Sequence, residues 1–311
     1  VTLVWILGAV AVLVLLYRLA LWGSVRAILR SYRRSPARVR REFGFAEPED
    51  LGLVAEPLRV EVEPGLLLSG FLFRSPGEAR GVVVYHHGIW DACRPRLRLA
   101  PLLLPAGFDV VMYDSRGHGE SGGRYCTYGF HESADLSLVL DELGRRGCPV
   151  SQTAVVGHSM GAATAVYAAS VDRRIRAVVM ESCYRDLRTA IRDYARLWCP
   201  CIPELLIRQA ETRAARKAGF DLDALSPLAH MSKLDIPVLI VQGTADRRIK
   251  PAYAQEHFEA TPEPRELYWI EGARHGRVWH EGGKVYEEKL RSWLESHLPV
   301  PGALPSGRQA V

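Results

Sequence analysis

The chain has 311 residues, of which 48% are hydrophobic and 24% charged, with a formal net charge of +5. That composition excludes a chain too polar to build a core and leaves room for one large domain with an appendage. The charge excess is local: Arg18, Arg26, Arg30, Arg33, Arg34, Arg38, Arg40 and Arg41, eight of 40 basic residues, precede the first acid, Glu42, and the remaining 32 face 35 Asp and Glu. Nothing in the main domain therefore argues for nucleic-acid binding.

Residues 1–16 carry no charge, and the apolar run continues to Trp22 broken only by Arg18, with Trp5, Tyr17 and Trp22 as interfacial aromatics. About twenty residues at helical rise cross a bilayer core, so residues 1–23 are expected to form a transmembrane anchor. A signal peptide is the main rival, without a basic n-region or a small-x-small cleavage site, and a buried core helix suits a terminal run of this length poorly. Seven arginines between residues 25 and 41 follow the span. By the positive-inside rule they place the rest of the chain in the cytoplasm, whereas a signal peptide would mean export. They also suit an anionic leaflet, although a solvated basic linker explains them equally. The six cysteines follow no disulfide-framework spacing, which is compatible with a reducing compartment.

Residues 24–57 read as a basic juxtamembrane segment followed, from residue 43, by a Gly, Pro and acid-containing linker. Strands are expected at residues 58–62 and 67–73, joined by the Pro64-Gly65 turn, and at 81–86, ending in His86-His87-Gly88-Ile89-Trp90. Helical spacing at 94–104 precedes a strand at 108–113 that runs into Asp114-Ser115-Arg116-Gly117-His118-Gly119-Glu120-Ser121. A helix at 130–145 leads to a short strand at 153–156, then Gly157-His158-Ser159-Met160-Gly161, then small helix-compatible residues to 169, then a strand at 177–180. The segment 181–236 is too long for a plain connection, and its helical stretches near 187–197 and 203–217 predict a cap. Strands follow at 237–242 and 265–270, then an amphipathic helix at 285–297 and a disordered tail at 299–311. Strands alternating with helices predict an α/β chain with a mostly parallel, doubly wound sheet that binds ligands at its strands' carboxyl ends.

The motifs fall at those ends. In Gly157-His158-Ser159-Met160-Gly161 the serine is thrust out on a tight strand-to-helix turn, and the glycines leave room where a Cβ would clash. The Met160 N–H then opens a helix beside the Ser159 hydroxyl, giving a nucleophile and half of an oxyanion site from one turn. The bland alternative is an ordinary glycine-rich connection.

Together with His-Gly at residues 87–88 and the Asp114 to Ser121 run, these residues resemble an α/β-hydrolase from residue 58 to about 298. Within that superfamily they are similar to serine hydrolases of the monoacylglycerol-lipase, serine-aminopeptidase and membrane-tethered BEM46-like groups. The resemblance implies a Ser, acid, His order. Asp246 lies four residues past the 237–242 strand and ahead of Pro251, matching the family's acid; the alternative is a turn or N-cap aspartate, and Asp235 and Asp223 are weaker rivals. His275, on a glycine-flanked loop after the last strand, is the expected general base. His280 is the nearest competitor, while His257 and His297 fall on predicted helices and read as surface residues. The second oxyanion donor carries over to the backbone N–H of Ile89, or of Trp90 if the loop is shifted by one.

No cofactor is expected. A metal site at His86-His87 is disfavoured because neighbouring strand residues face opposite ways and no third ligand is evident. Asp114 and Arg116 read as braces for their loop, and His118 as a satisfied loop histidine or a pocket residue. Trp198, Ile202, Leu205, Leu206 and Ile207 make the cap partly apolar, suited to an acyl chain or to packing alone; Cys199 and Cys201 read as plain cap cysteines. A serine at position 159 argues against the aspartate-nucleophile dehalogenases and epoxide hydrolases of this fold.

The reading that follows is a membrane-tethered serine hydrolase of carboxylic, lipid-like acyl esters. Its partners are a small acyl substrate and membrane lipid, met through the N-terminal helix and the Arg-rich segment. The alternatives are a peptidase or acyl-thioesterase on the same triad, or a non-catalytic membrane-bound interaction module.

Overall fold

A computed structural model describes residues 2–31 and 33–298; the tail expected at 299–311 lies outside the described residues. Eight strands form one sheet: β1 (Glu56–Glu63), β2 (Leu66–Phe73), β3 (Gly81–His86), β4 (Phe108–Asp114), β5 (Thr153–His158), β6 (Ile175–Glu181), β7 (Val238–Gly243) and β8 (Arg265–Ile270). Their order is β1-β2-β4-β3-β5-β6-β7-β8, with β2 antiparallel to both neighbours and every later pairing parallel. The central strands β3, β4, β5 and β7 are buried throughout, which is why runs such as Val82-Val83-Val84 show no polar alternation. Edge strand β1 does alternate, burying Leu58 and Val60 and exposing Arg59 and Glu61.

The helices are α1 (Thr2–Leu29), α2 (Pro36–Phe43), α3 (Leu99–Leu103), α4 (Glu132–Arg145), α5 (Met160–Ala169), α6 (Leu187–Trp198), α7 (Glu204–Ala218), α8 (Leu228–Met231), α9 (Pro251–Ala260) and α10 (Val278–His297). Apolar residues of α4, α5 and α9 pack on one face of the sheet and those of α3 and α10 on the other. Between β6 and β7, helices α6 and α7 lie over the carboxyl end of the sheet, and α1 packs along α7.

Four expectations need correction. The helix expected at 94–104 is broken into a 3-10 turn at Arg94–Arg96, the short α3 and a second turn at Leu104–Ala106, because Pro95, Pro101 and Pro105 each lack an N–H to donate. The linker from residue 43 is not free: Phe45 and Ala46 are buried, and Asp50 accepts from the Ala46 and Glu47 amides. The closing helix begins at Val278, seven residues early, with non-helical backbone at Gly283. His257 is fully buried on α9, its Nε2 bonded to the Tyr184 carbonyl at 3.1 Å, where helical position alone had suggested the surface.

α1 divides into two parts. From Thr2 to Ala20 its residues are exposed apart from half-buried Tyr17, a length of about 28 Å at helical rise. From there Leu21, Val25 and Leu29, spaced by four, are buried against the domain. Chain beyond the helix is fastened too: Arg33 donates to the carbonyls of Gly119, Ser121 and Gly123, and Arg34 pairs with Asp91 at 2.6 Å.

Candidate active site

The Ser159 turn is built as its glycines require. A Cβ on Gly157 would stand 2.3 Å from the Gly161 carbonyl oxygen, and one on Gly161 would stand 2.0 Å from that of His86, so α5 closes on both β5 and β3 only without them. Ser159 itself sits at φ 54° and ψ −112°, a conformation unfavourable for any side chain. The turn is held by its N–H donating to the Glu181 carbonyl at 2.7 Å and by its carbonyl accepting from Ala162 and Ala163. Met160 is the first residue of α5, where an amide has no intrahelical acceptor. Ile89 and Met160 both border the same cavity as Ser159.

Two and three strands further along the sheet, Asp246 follows β7 and His275 follows β8. His275 Nδ1 donates to Asp246 Oδ2 at 2.8 Å, and since a carboxylate only accepts, the neutral ring in this contact is the tautomer whose Nε2 is the acceptor. The other oxygen of Asp246 accepts from the Arg248 and Ile249 amides at 2.9 Å each. The carboxylate thus does both jobs weighed for it, holding its own turn with Oδ1 and the histidine with Oδ2. The His275 ring lies 5.1 Å, centre to centre, from that of His158, the residue preceding the serine, so the β8 loop does reach the β5 turn. His280 instead stands exposed beside Glu281.

Side chains that sequence reasoning passed over surround this group. Gln242 Nε2 donates to Asp246 Oδ2, the Gly243 carbonyl and the Ile249 carbonyl from a fully buried position. Glu181 is buried and accepts from Trp279 Nε1 at 2.7 Å and the Tyr286 hydroxyl at 2.6 Å, which ties α10 to the end of β6. Burial pushes the Glu181 carboxyl up. Burial, reinforced by His275, pulls the His158 ring well below its ordinary value. His158 is therefore neutral at pH 7, and its 3.7 Å approach to Glu181 is not an ion pair. A polar residue repeated in no motif gives no sequence signal, so only contact reveals these roles.

The remaining motif residues brace loops. Asp114 accepts from the Cys93 and Glu120 amides, and Arg116 makes a two-pronged pair with Asp135 at 2.6 and 2.7 Å. His87 Nε2 accepts from the Ser115 amide, and buried His118 bonds the Arg116 carbonyl through Nδ1. The Cys199 and Cys201 sulfurs lie 3.9 Å apart and exposed.

A cavity of about 360 Å³ stands over Ser159. Leu187, Ile191 and Tyr194 of α6 and Ile207 and Ala210 of α7 form two walls, and Ser24, Ala27 and Ile28 of α1 form a third. Among the described residues no charged side chain lines it, and burial pushes the Tyr194 hydroxyl up to about 12. The indole of Trp90 donates to the Arg30 carbonyl and the Tyr128 hydroxyl to that of Ile28, so two pocket residues fasten the α1 wall.

A mostly parallel eight-stranded sheet with an antiparallel β2, a serine on a strained strand-to-helix turn and helices inserted after β6 defines the α/β-hydrolase fold. The comparisons with known proteins agree with that fold: residues 77–226, just under half of the chain, match the family described as serine aminopeptidase, S33. The uncharacterized protein YqkD of Bacillus subtilis is 28% identical over 228 residues, spanning 71% of this chain and 73% of that protein. Alpha/beta hydrolase domain-containing protein 17C of Xenopus tropicalis is 24% identical over 249 residues, spanning 78% and 71%. Among solved structures, the Pyrococcus furiosus esterase Pf2001 superposes with a TM-score of 0.69 at 22% identity, covering 87% of this chain and all of that one, a likeness of fold.

Proposed function

We propose that this hydrolase is a membrane-tethered serine hydrolase that cleaves carboxylic, lipid-like acyl esters. The observation that carries the reading is the uncharged cavity that Ser159 lines, with the hydrogen-bonded Asp246–His275 pair brought to the Ser159 turn through the His158 ring. His275 Nε2 takes the Ser159 proton as the hydroxyl oxygen attacks the acyl carbonyl, and Asp246 steadies the imidazolium. The Ile89 and Met160 N–H groups hold the oxyanion. The alcohol leaves with the proton that His275 returns, and water, activated by the same histidine, releases the acid and restores the serine. An apolar chain gains about 0.8 kcal/mol per buried methylene in such a cavity, which supports an acyl substrate over a peptide.

The tether is supported by the exposed apolar stretch of α1, mean hydropathy 2.4, flanked by exposed Trp5 and Trp22. Burial of Leu21, Val25 and Leu29 supports retention of this helix, since its end is part of the domain rather than a leader to be removed. The Arg-rich stretch that follows supports a cytoplasmic domain.

Labelling of the detergent-extracted chain by a fluorophosphonate, followed by turnover of matched ester, thioester and peptide panels, tests the reading. Labelling that Ser159→Ala and His275→Ala both abolish, with esters turned over fastest, is the expected result. Labelling with turnover of thioesters or peptides alone would replace the substrate class, and a folded chain that never labels would overturn the triad.

A further inference from the structure

On the side of α1 away from Ser159 lies a second cavity, of about 280 Å³. Its floor is Val25 and Leu29, its rim includes Trp22, and four cations surround it: Arg26 of α1, Arg30 just past its end, Arg124 of the loop after β4, and Lys217 of α7. No Asp or Glu borders it among the described residues. Elsewhere in the domain Arg94, Arg116 and Arg174 each meet carboxylates. Here the cations stack on aromatics instead: Arg26 over Trp22 at 5.7 Å, and Arg124 and Lys217 over Tyr125 at 5.3 and 5.9 Å. Four like charges from three separate elements repel one another, and an anion among them relieves that repulsion.

The depth of the cavity identifies the anion. Trp5 and Trp22 are about 25 Å apart along α1, close to the thickness of a hydrocarbon core. Arg26 and Arg30 follow one and two turns below Trp22, about 6 and 12 Å further, in the layer that lipid phosphates occupy. A soluble anion gains nothing from an apolar floor continuous with a membrane span, whereas a phospholipid presents phosphate and glycerol carbons together. Resting on the membrane-bound reading above, we propose that this cavity binds the phosphate headgroup of an anionic phospholipid of the leaflet, at a site separate from the acyl pocket.

The test uses the full chain carrying Ser159→Ala, so that no turnover intervenes, in phosphatidylcholine nanodiscs containing about one-fifth phosphatidylglycerol, with retained lipid read by native mass spectrometry. The expected result is retention of phosphatidylglycerol in preference to phosphatidylcholine, about thirtyfold less in the Arg124→Gln/Lys217→Gln protein. Arg213→Gln/Arg216→Gln removes the same charge from exposed positions of α7 outside the cavity and should retain lipid as the parent does. Equal retention of both lipids, equal loss in the two double variants, or no loss in the first would overturn the site. Displacement of the lipid by millimolar inorganic phosphate would overturn the lipid as its ligand. A chain that enters no nanodisc overturns the tether and the site together, whereas one that enters and keeps no anionic lipid overturns the site alone.

Discussion

The group around Ser159 and the cavity above it are made in opposite ways. Ser159, Asp246 and His275 each follow a strand of one sheet, and parallel neighbours deliver their carboxyl ends to the same edge, so short local segments suffice. The cavity has no such frame: its walls come from α1, α6 and α7, and α1 reaches it from the far end of the chain. Under the proposed function the reacting groups are therefore insulated from the choice of substrate, and a change in one region should leave the other standing.

The sharpest way to break that separation is to remove the reacting groups. Replacing His275 by Ala should lower kcat about 10⁴-fold or more with the thermal midpoint nearly unchanged. Asp246→Asn should match it in rate, because an amide in place of Oδ2 can present an N–H to His275 Nδ1 and favour the wrong tautomer. If either variant unfolds the protein, site and scaffold are not separable.

Gly161→Ala should attack the scaffold. Its Cβ would be forced onto the His86 carbonyl, so a loss of about 3 kcal/mol in denaturant unfolding is expected. A stable Gly161→Ala protein would mean that β3 and α5 do not approach as closely as described.

On the cavity side, Ala27→Trp fills the α1 wall without touching the sheet. The expected outcome is a drop of about tenfold to a hundredfold in kcat/KM for long acyl esters, with acetyl ester turnover retained. Equal loss for both chain lengths would show that α1 shapes more than the acyl pocket.

A pH effect is spread over β3, the loop after β4 and α9. Burial pulls His86 and His118 down to about 3 and His257 down to about 4. Unfolded, each takes a proton near pH 6.5 that the folded form refuses, so the unfolded state binds more protons and stability falls as pH falls. Between about pH 6.5 and 4 each contributes a slope of about 1.4 kcal/mol per pH unit, and urea unfolding across that range should show their sum. His257→Phe should flatten the slope.

Periodicity found the strands because fully buried β-branched runs such as residues 81–86 resemble little else once glycines and turns bound them. It mistook residues 94–104 for one helix because apolar spacing does not register a proline's missing N–H, and it read residues 43–57 as linker although Phe45 inserts into the core. The strained turn at Ser159 and the strand-end positions of Asp246 and His275 were legible from motif and order, and their joint role is the reading proposed above. Gln242 and Glu181 were not, since a lone polar residue acquires its role from what packs beside it.

The sequence by itself determined the strand and helix order, the turn that strains Ser159 and an N-terminal run apolar enough to cross a membrane, because each depends on neighbours within a few residues. Only the tertiary structure decided that this run ends as a wall of the cavity over Ser159 on one side and of a cationic cavity on the other. Burying Leu21, Val25 and Leu29 against the domain fixes the rotation of α1 about its axis, and that rotation sets Ala27 toward Ser159 and Arg26 toward Lys217.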